Sequence, residues 1–208
     1  MSARVLGVIL AGGQARRMGG GDKCRLDLGG QSLIGHVITR LAPQCDGLVV
    51  NANGDPARFA DLGLPVLADS IAGFRGPLAG VLAGMDHGAA HGFSHVLSAA
   101  ADTPFLPPDL ARRLAAAARA GGLPIALAAT SDQGRLFRHP TFGLWPVSLR
   151  EDLRAQVMSG LSKVSLWADR HGAAQAVFPT DPIDPFFNIN TPDQLVIARD
   201  IWHRTDQF

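Results

Sequence analysis

Cysteine is scarce: Cys24 and Cys45 are the only two in 208 residues. That is too few for a disulfide framework, and both read as free thiols of a reducing compartment. An excess of one charge is missing too, since 19 Lys+Arg stand against 18 Asp+Glu. A net charge of +1 removes the broad basic field of a nucleic-acid binder, yet leaves room for one local basic pocket. No apolar run approaches the roughly 20 residues that cross a bilayer. The N-terminal run Val5–Leu10 is too short for a signal-peptide core and no cleavage pattern follows it. Internal repeats, low-complexity linkers and blocks of like charge are also lacking. The expectation is a single domain, 1–208, working in the cytoplasm without nucleic-acid or membrane partners.

What is present is ample material for a core, with 47% apolar and 18% charged residues. Val5–Leu10, Leu48–Val50, Pro65–Ala68, His95–Ala101 and Pro124–Ala129 are apolar on consecutive positions. That is how parallel strands read when both faces are covered. Between them, helical periodicity runs over Ser32–Leu41, Pro56–Leu62, Pro77–His91 and Pro108–Ala120. The alternation predicts an α/β fold of three layers, Rossmann-like, around a mostly parallel sheet. Beyond residue 130 the pattern loosens. Arg135–Arg138 reads as a polar turn ahead of a strand of different direction, Thr141–Trp145, with helices at Val147–Met158 and Ser162–His171. Thr191-Pro192-Asp193-Gln194 carries an N-cap Thr, Pro at the first helical position and the Gln of a capping box.

The first strand runs into Ala11-Gly12-Gly13-Gln14-Ala15-Arg16-Arg17-Met18-Gly19-Gly20-Gly21-Asp22-Lys23. Glycines let backbone N–H groups close around an anion, and Arg16, Arg17 and Lys23 add charge at the strand edge where open α/β sheets bind ligands. The segment is neither a P-loop, because Lys23 lies between Asp22 and Cys24, nor a dinucleotide fingerprint, because Cys24 stands where the third glycine belongs. An oxidoreductase is disfavoured on the same ground.

Leu-Ala-Gly-Gly, Arg-Met-Gly-Gly and Asp-Lys after an N-terminal strand resemble the signature of nucleotidyltransferases. Within that superfamily the chain most resembles the molybdenum cofactor guanylyltransferases. The doubled Gly12-Gly13 is similar to their guanine-type form, where cytidylyl relatives usually carry Ala-Ala-Gly. Further segments match in order: Val49-Val50-Asn51-Ala52-Asn53, Asp69-Ser70, Gly76-Pro77-Leu78-Ala79-Gly80, Asp102-Thr103-Pro104, His139-Pro140 and Asn188-Ile189-Asn190-Thr191-Pro192. The resemblance implies transfer of GMP from GTP to molybdenum-bound molybdopterin, with release of pyrophosphate. It also implies transient contact with molybdenum-insertion or molybdoenzyme-maturation proteins. The alternatives are another Mg²⁺-dependent nucleotidyltransferase, passing CMP to molybdopterin or a nucleotide to a sugar phosphate, and a non-catalytic guanine-nucleotide adaptor.

By the same resemblance, residues up to about 105 bind the nucleotide and those from about 106 onward bind the acceptor. Leu10, Ala11 and Gly12 hold GTP through backbone groups, joined by Lys23, Asn51, Asp69 and Asp102. Asp102 ends a buried strand, and a carboxylate there suits Mg²⁺; on position alone it could equally cap a helix. Lys23 and Arg17 neutralise the triphosphate, one as a mobile point charge and the other as a planar fork. Asn188 and Asn190 alternate on an extended segment and reach the active site with them, unless they serve only the turn before the last helix. Gly76, Pro77, Gly80, Arg138, His139 and Lys163 form the molybdopterin side. Guanine presents N1–H and N2–H donors, so an acceptor must read it, and the sequence leaves open which. His87, His91 and His95 recur every four residues but read better as solvated histidines than as a zinc site. Trp145, Trp167 and Trp202 are expected in packing.

Overall fold

A computed structural model describes residues 3–12, 22–71, 73 and 76–205. In chain order its strands and helices are β1 (Val5–Leu10), β2 (Asp27–Leu28), β3 (Gln31–Ser32), α1 (Leu33–Leu41), β4 (Gly47–Asn51), β5 (Val66–Leu67), α2 (Pro77–Ala90), β6 (His95–Ala100), α3 (Leu110–Gly121), β7 (Ile125–Asp132), β8 (Arg135–Pro146), α4 (Arg150–Met158), α5 (Val164–His171), β9 (Ala173–Phe178) and α6 (Pro192–Thr205). Seven strands form one sheet in the order β5-β4-β1-β6-β8-β7-β9, and β2 and β3 make a separate small hairpin. Only β8 runs against its neighbours; the other six strands are parallel.

Consecutive apolar residues on β1 serve both faces of the sheet. Ile9 packs with Ile34, Val37 and Leu41 of α1 and with Leu110 and Leu114 of α3. Leu6 and Val8 pack on the other face against Leu78, Val81, Leu82 and Met85 of α2, with Leu153 of α4 and Trp167 of α5. Helix α2 lies close on the sheet because Gly80 and Gly84 face it. A Cβ on Gly80 would stand 2.2 Å from Asn51 Oδ1, and one on Gly84 would stand 2.5 Å from Val8 Cγ2.

A third, smaller core unites both ends of the chain. Leu28, Leu33, Phe105, Ile189, Leu195 and Ala198 are buried together, with Trp202 packed against them. Trp202 fits over Gly29, where φ is +64° and a Cβ would meet Nε1 at 2.1 Å. At the start of α6 the expected capping box is present: Thr191 Oγ1 accepts from the Gln194 amide at 3.3 Å, and Gln194 Oε1 accepts from the Thr191 amide at 3.1 Å.

Several expectations need correcting. Arg135–Arg138 is not a turn but the first part of the 12-residue β8; the turn lies at Gln133 and Gly134, both at positive φ. Its exposed side chains, Leu136 and Phe137 among them, belong to a hairpin projecting beyond the covered sheet. Pro56–Leu62 is a 3-10 helix, and so is Val147–Leu149 ahead of α4. Strand β9 alternates buried and exposed residues at the sheet edge, and its single covered face leaves no unbroken apolar run to mark it in the sequence. Among the described residues no helix is long and apolar enough to cross a membrane.

Candidate active site

Four parallel strands deliver their carboxyl ends to one edge. Leu10 pairs with Asn51 on one side and Ala100 on the other, and Asn51 pairs with Leu67. The chain continues past those tips in register: the Ala11 amide donates to the Asn51 carbonyl at 2.9 Å, and the Ala101 amide to the Leu10 carbonyl at 3.1 Å. Ala11 thus commits its N–H to the sheet. Gly12 follows, and a Cβ there would meet nothing within 4 Å among the described residues.

Three segments remote in sequence converge beside this edge. Lys23 opens a 3-10 turn, Asp102 follows the end of β6, and Asn190 precedes α6. The Lys23 ammonium forms an ion pair with Asp102 Oδ2 and donates to Asn190 Oδ1 at 2.5 Å. The Ile189 amide donates to the Asp102 carbonyl at 3.1 Å, fixing the Asn188–Asn190 segment alongside. Asp102 caps no helix, because α3 begins at Leu110 behind Asp109. Asn188 Oδ1 is buried without a hydrogen-bond partner among the described residues, an arrangement native proteins seldom tolerate without a ligand or water. Arg16, Arg17 and Gly13 to Gly21 lie outside the described residues.

A second group sits at the tips of β4 and β5. Buried Asn51 donates through Nδ2 to the Leu67 carbonyl at 3.2 Å and to Asp69 Oδ1 at 3.0 Å. Asn53 donates to Asp69 Oδ2 at 2.7 Å while its Oδ1 accepts from the Asp69 amide at 2.9 Å. Two amides therefore orient the Asp69 carboxylate. Asn53 stands in the matched Val49–Asn53 segment, yet its hold on Asp69 was not read from the sequence; the alternation of Asn51 and Asn53 was the available signal.

The residues expected on the acceptor side do not form one cluster. Gly76 lies against the Ser162 carbonyl, 3.6 Å from where its Cβ would be, which brings Gly76 and Pro77 beside Lys163. Gly80 instead abuts Asn51. Arg138 and His139 are adjacent on β8 and point to opposite faces. Arg138 grips Asp169 of α5 with bonds of 2.6 and 3.1 Å. His139 stacks on Phe186 at 4.5 Å and meets Thr130 Oγ1 at 2.9 Å; burial pushes its imidazole pKa down.

Other candidates fall into structural roles. Burial raises the Cys24 thiol to about 11, so this neighbour of Lys23 is a packing residue rather than a nucleophile. His87 and His91 stack at 4.0 Å, while His95 starts β6 at the opposite edge of the sheet from Asp102. No three potential metal-binding His, Cys, Asp or Glu side chains gather among the described residues. Trp145 and Trp167 are fully buried, with Nε1 donating to Ser98 Oγ and Asp152 Oδ2 respectively, each at 2.8 Å.

Comparison with known proteins gives the family. The MobA-like NTP transferase domain family matches residues 7–174. A molybdenum cofactor guanylyltransferase of Bradyrhizobium sp. is 53% identical over 93% of this chain and 91% of its own length. One from Mesorhizobium japonicum is 48% identical, covering 95% and 96%. Among solved structures, molybdopterin-guanine dinucleotide biosynthesis protein A from Archaeoglobus fulgidus superposes with a TM-score of 0.70, at 24% identity over 96% of this chain and 99% of that one. The 4-diphosphocytidyl-2C-methyl-D-erythritol synthase of Anaerococcus prevotii reaches 0.75 at 12% identity, covering 97% of each. Those two likenesses establish the nucleotidyltransferase fold. The family-wide match and the near-full-length relatives go further: the chain belongs to the MobA-like NTP transferases and, within them, to the molybdenum cofactor guanylyltransferases.

Proposed function

We propose that this chain transfers GMP from GTP to the terminal phosphate of molybdenum-bound molybdopterin, releasing pyrophosphate and forming the guanine dinucleotide cofactor. The observation that carries the reading is the meeting of Lys23, Asp102 and Asn190 at the carboxyl edge of the sheet, in a member of this family. Leu10, Ala11, Gly12, Asn51 and Asp69 complete the GTP pocket, with Arg17 assisting Lys23 at the phosphates; the Asp69 carboxylate, an acceptor oriented by Asn51 and Asn53, suits the N1–H and N2–H donors of guanine and marks the base end. On the acceptor half, from about residue 106 onward, Lys163 with nearby Gly76 and Pro77 would meet the pterin and its phosphate; Gly80 abuts Asn51 instead, and Arg138 and His139 face opposite sides of β8, so at most one of that pair would join them.

The reaction suits these groups. A phosphate monoester is already largely ionised near neutral pH, its second pKa being about 6, so its oxygen attacks the α-phosphorus without a strong general base. Attack in line expels pyrophosphate, with no covalent enzyme intermediate. Lys23 offers positive charge to the triphosphate and the departing pyrophosphate, and Asn190 aims its ammonium. Positioning supplies the rest of the acceleration.

Mg²⁺ fits the residues present. Asp102 is a hard oxygen ligand, and Asn188 brings a second oxygen that lacks a partner within the described fold. One or two protein oxygens suffice when substrate phosphates complete the coordination. The ion would neutralise charge on the phosphates as it passes to pyrophosphate.

The deciding experiment is calorimetric titration with GTP and with CTP, each with and without Mg²⁺. Mg²⁺-dependent preference for GTP is expected, followed by formation of the guanine dinucleotide from GTP and molybdopterin. Preference for CTP, or purified enzyme unable to form that product, would overturn the proposal.

A further inference from the structure

Two arginines clasp the Lys23 turn to the 3-10 helix Pro56–Leu62. From the turn, Arg25 grips Asp61 with bonds of 2.7 and 2.6 Å and also donates to the Arg58 carbonyl. From the helix, Arg58 reaches back and branches. Its Nη1 pairs with Asp22 Oδ1 at 2.5 Å, its Nη2 donates to the Asn53 carbonyl at 2.6 Å, and its Nε donates to the Asp55 carbonyl at 3.1 Å. Asp22 immediately precedes Lys23, and Asn53 is the residue whose amide orients Asp69. A single guanidinium therefore stands between the two ends of the nucleotide pocket.

A lone surface ion pair is worth little. This one differs because the planar fork engages an anion and a carbonyl at once, and the reciprocal Arg25–Asp61 pair holds the supporting helix in place. Asp55 also caps that helix, its Oδ1 accepting from the Ala57 amide at 2.9 Å.

We propose that Arg58 is a positioning residue, a strut that sets the span between Lys23 at the phosphate end and Asp69 at the base end. The inference rests on the reading of this pocket as the GTP site and deepens it. Arg58 itself needs no contact with nucleotide. Its effect is preorganisation, which favours a ligand that must engage both ends together and matters little to a ligand that engages one.

The test compares GTP, GMP and pyrophosphate by calorimetry in Mg²⁺, using the full chain. Arg58→Ala is expected to weaken GTP about tenfold while GMP and pyrophosphate each change less than about threefold. Arg58→Lys should recover part of the loss, because one ammonium can meet Asp22 or the Asn53 carbonyl but cannot bridge both. Asp22→Asn releases the same strut from its other end, so the double variant should bind GTP no worse than Arg58→Ala alone. Should Arg58→Ala fail to fold, the GTP-against-fragment contrast in Asp22→Asn reads the same coupling. Wild-type GTP affinity in Arg58→Ala, equal losses for all three ligands, or additive losses in the double variant would overturn the strut. Absence of GTP binding by the unmodified protein would instead bring down the GTP reading, and this inference with it.

Discussion

Asp102 carries the sharpest prediction because its carboxylate faces only one cation in the described site, the Lys23 ammonium. Asp102→Ala removes the hard oxygen and leaves the ladder intact, since β6 contributes through its backbone. Turnover should fall by about a hundredfold or more, the scale seen when a preorganised electrostatic partner is lost. Circular dichroism should stay unchanged, and a wild-type GMP-transfer rate would return Asp102 to a structural role. Gly80 makes a contrasting case, where the residue acts by having no side chain. In Gly80→Ala the new methyl must displace Asn51 Oδ1 and Leu10 Cδ2, which stand 2.2 and 2.7 Å away. Overpacking of this kind costs about 1–3 kcal/mol. Because Asn51 orients Asp69, GTP affinity should weaken as well. Urea denaturation and GTP titration read the two effects separately, and full stability would mean that α2 shifts freely.

Among the elements, α6 links packing to chemistry. It buries Leu195 and Ala198 against Leu28 of β2 and Leu33 of α1, and its lead-in carries Asn190 to Lys23. Gly29→Ala tests that linkage, since it places a Cβ at positive φ and into Trp202. A loss of more than about 1 kcal/mol is expected, the cost of alanine at such a backbone position. GTP affinity should fall with it, measured on the fraction that stays folded; unaltered stability would show α6 held by other contacts. The buried strands and the Thr191 cap were legible in sequence because each is a local pattern: an apolar run, or a hydroxyl three residues before an amide. Asp102 and Asn51 stand where such runs end, and it is the family resemblance that singles them out, with Leu10, as site candidates. Arg25 and Arg58 carry no such mark. Their partners each lie 36 residues away, and no local periodicity marks a side chain that braces one loop against another. The first part of β8 is hard to read in the sequence because its hairpin leaves the layered core, where exposed Leu136 and Phe137 sit between two arginines and neither face shows a strand's alternation.

Across the whole molecule, acid should act in two stages. Burial pushes the imidazoles of His87, His95 and His139 below their ordinary value of 6.5. The unfolded chain then binds protons that the folded chain resists, so stability is full above that value and declines as pH drops through it. Asp61 is held down by its bonds to Arg25, and Asp152 by Trp167 and His171. For these depressed carboxylates stability is lost as pH falls below their ordinary value of 3.8. Calorimetric melting should be flat from about pH 8 to 7, decline towards pH 5 and drop again below about pH 4. His139→Gln should remove part of the first decline and leave the second. A melting temperature constant down to pH 5 would contradict the histidine assignment.

The bond from Lys23 to Asn190 joins residues 167 positions apart. During synthesis the ribosome delivers the glycine-rich loop well before Asn190. A nascent chain thus displays the loop, Lys23 and eventually Asp102 long before the amide that aims the lysine has been made. Its first strands can form while the site is still inert. Competence arrives only once the segment around Asn190 has left the exit tunnel and folded back over the hairpin, so the order of translation itself delays nucleotide chemistry until every strand of the sheet has been made.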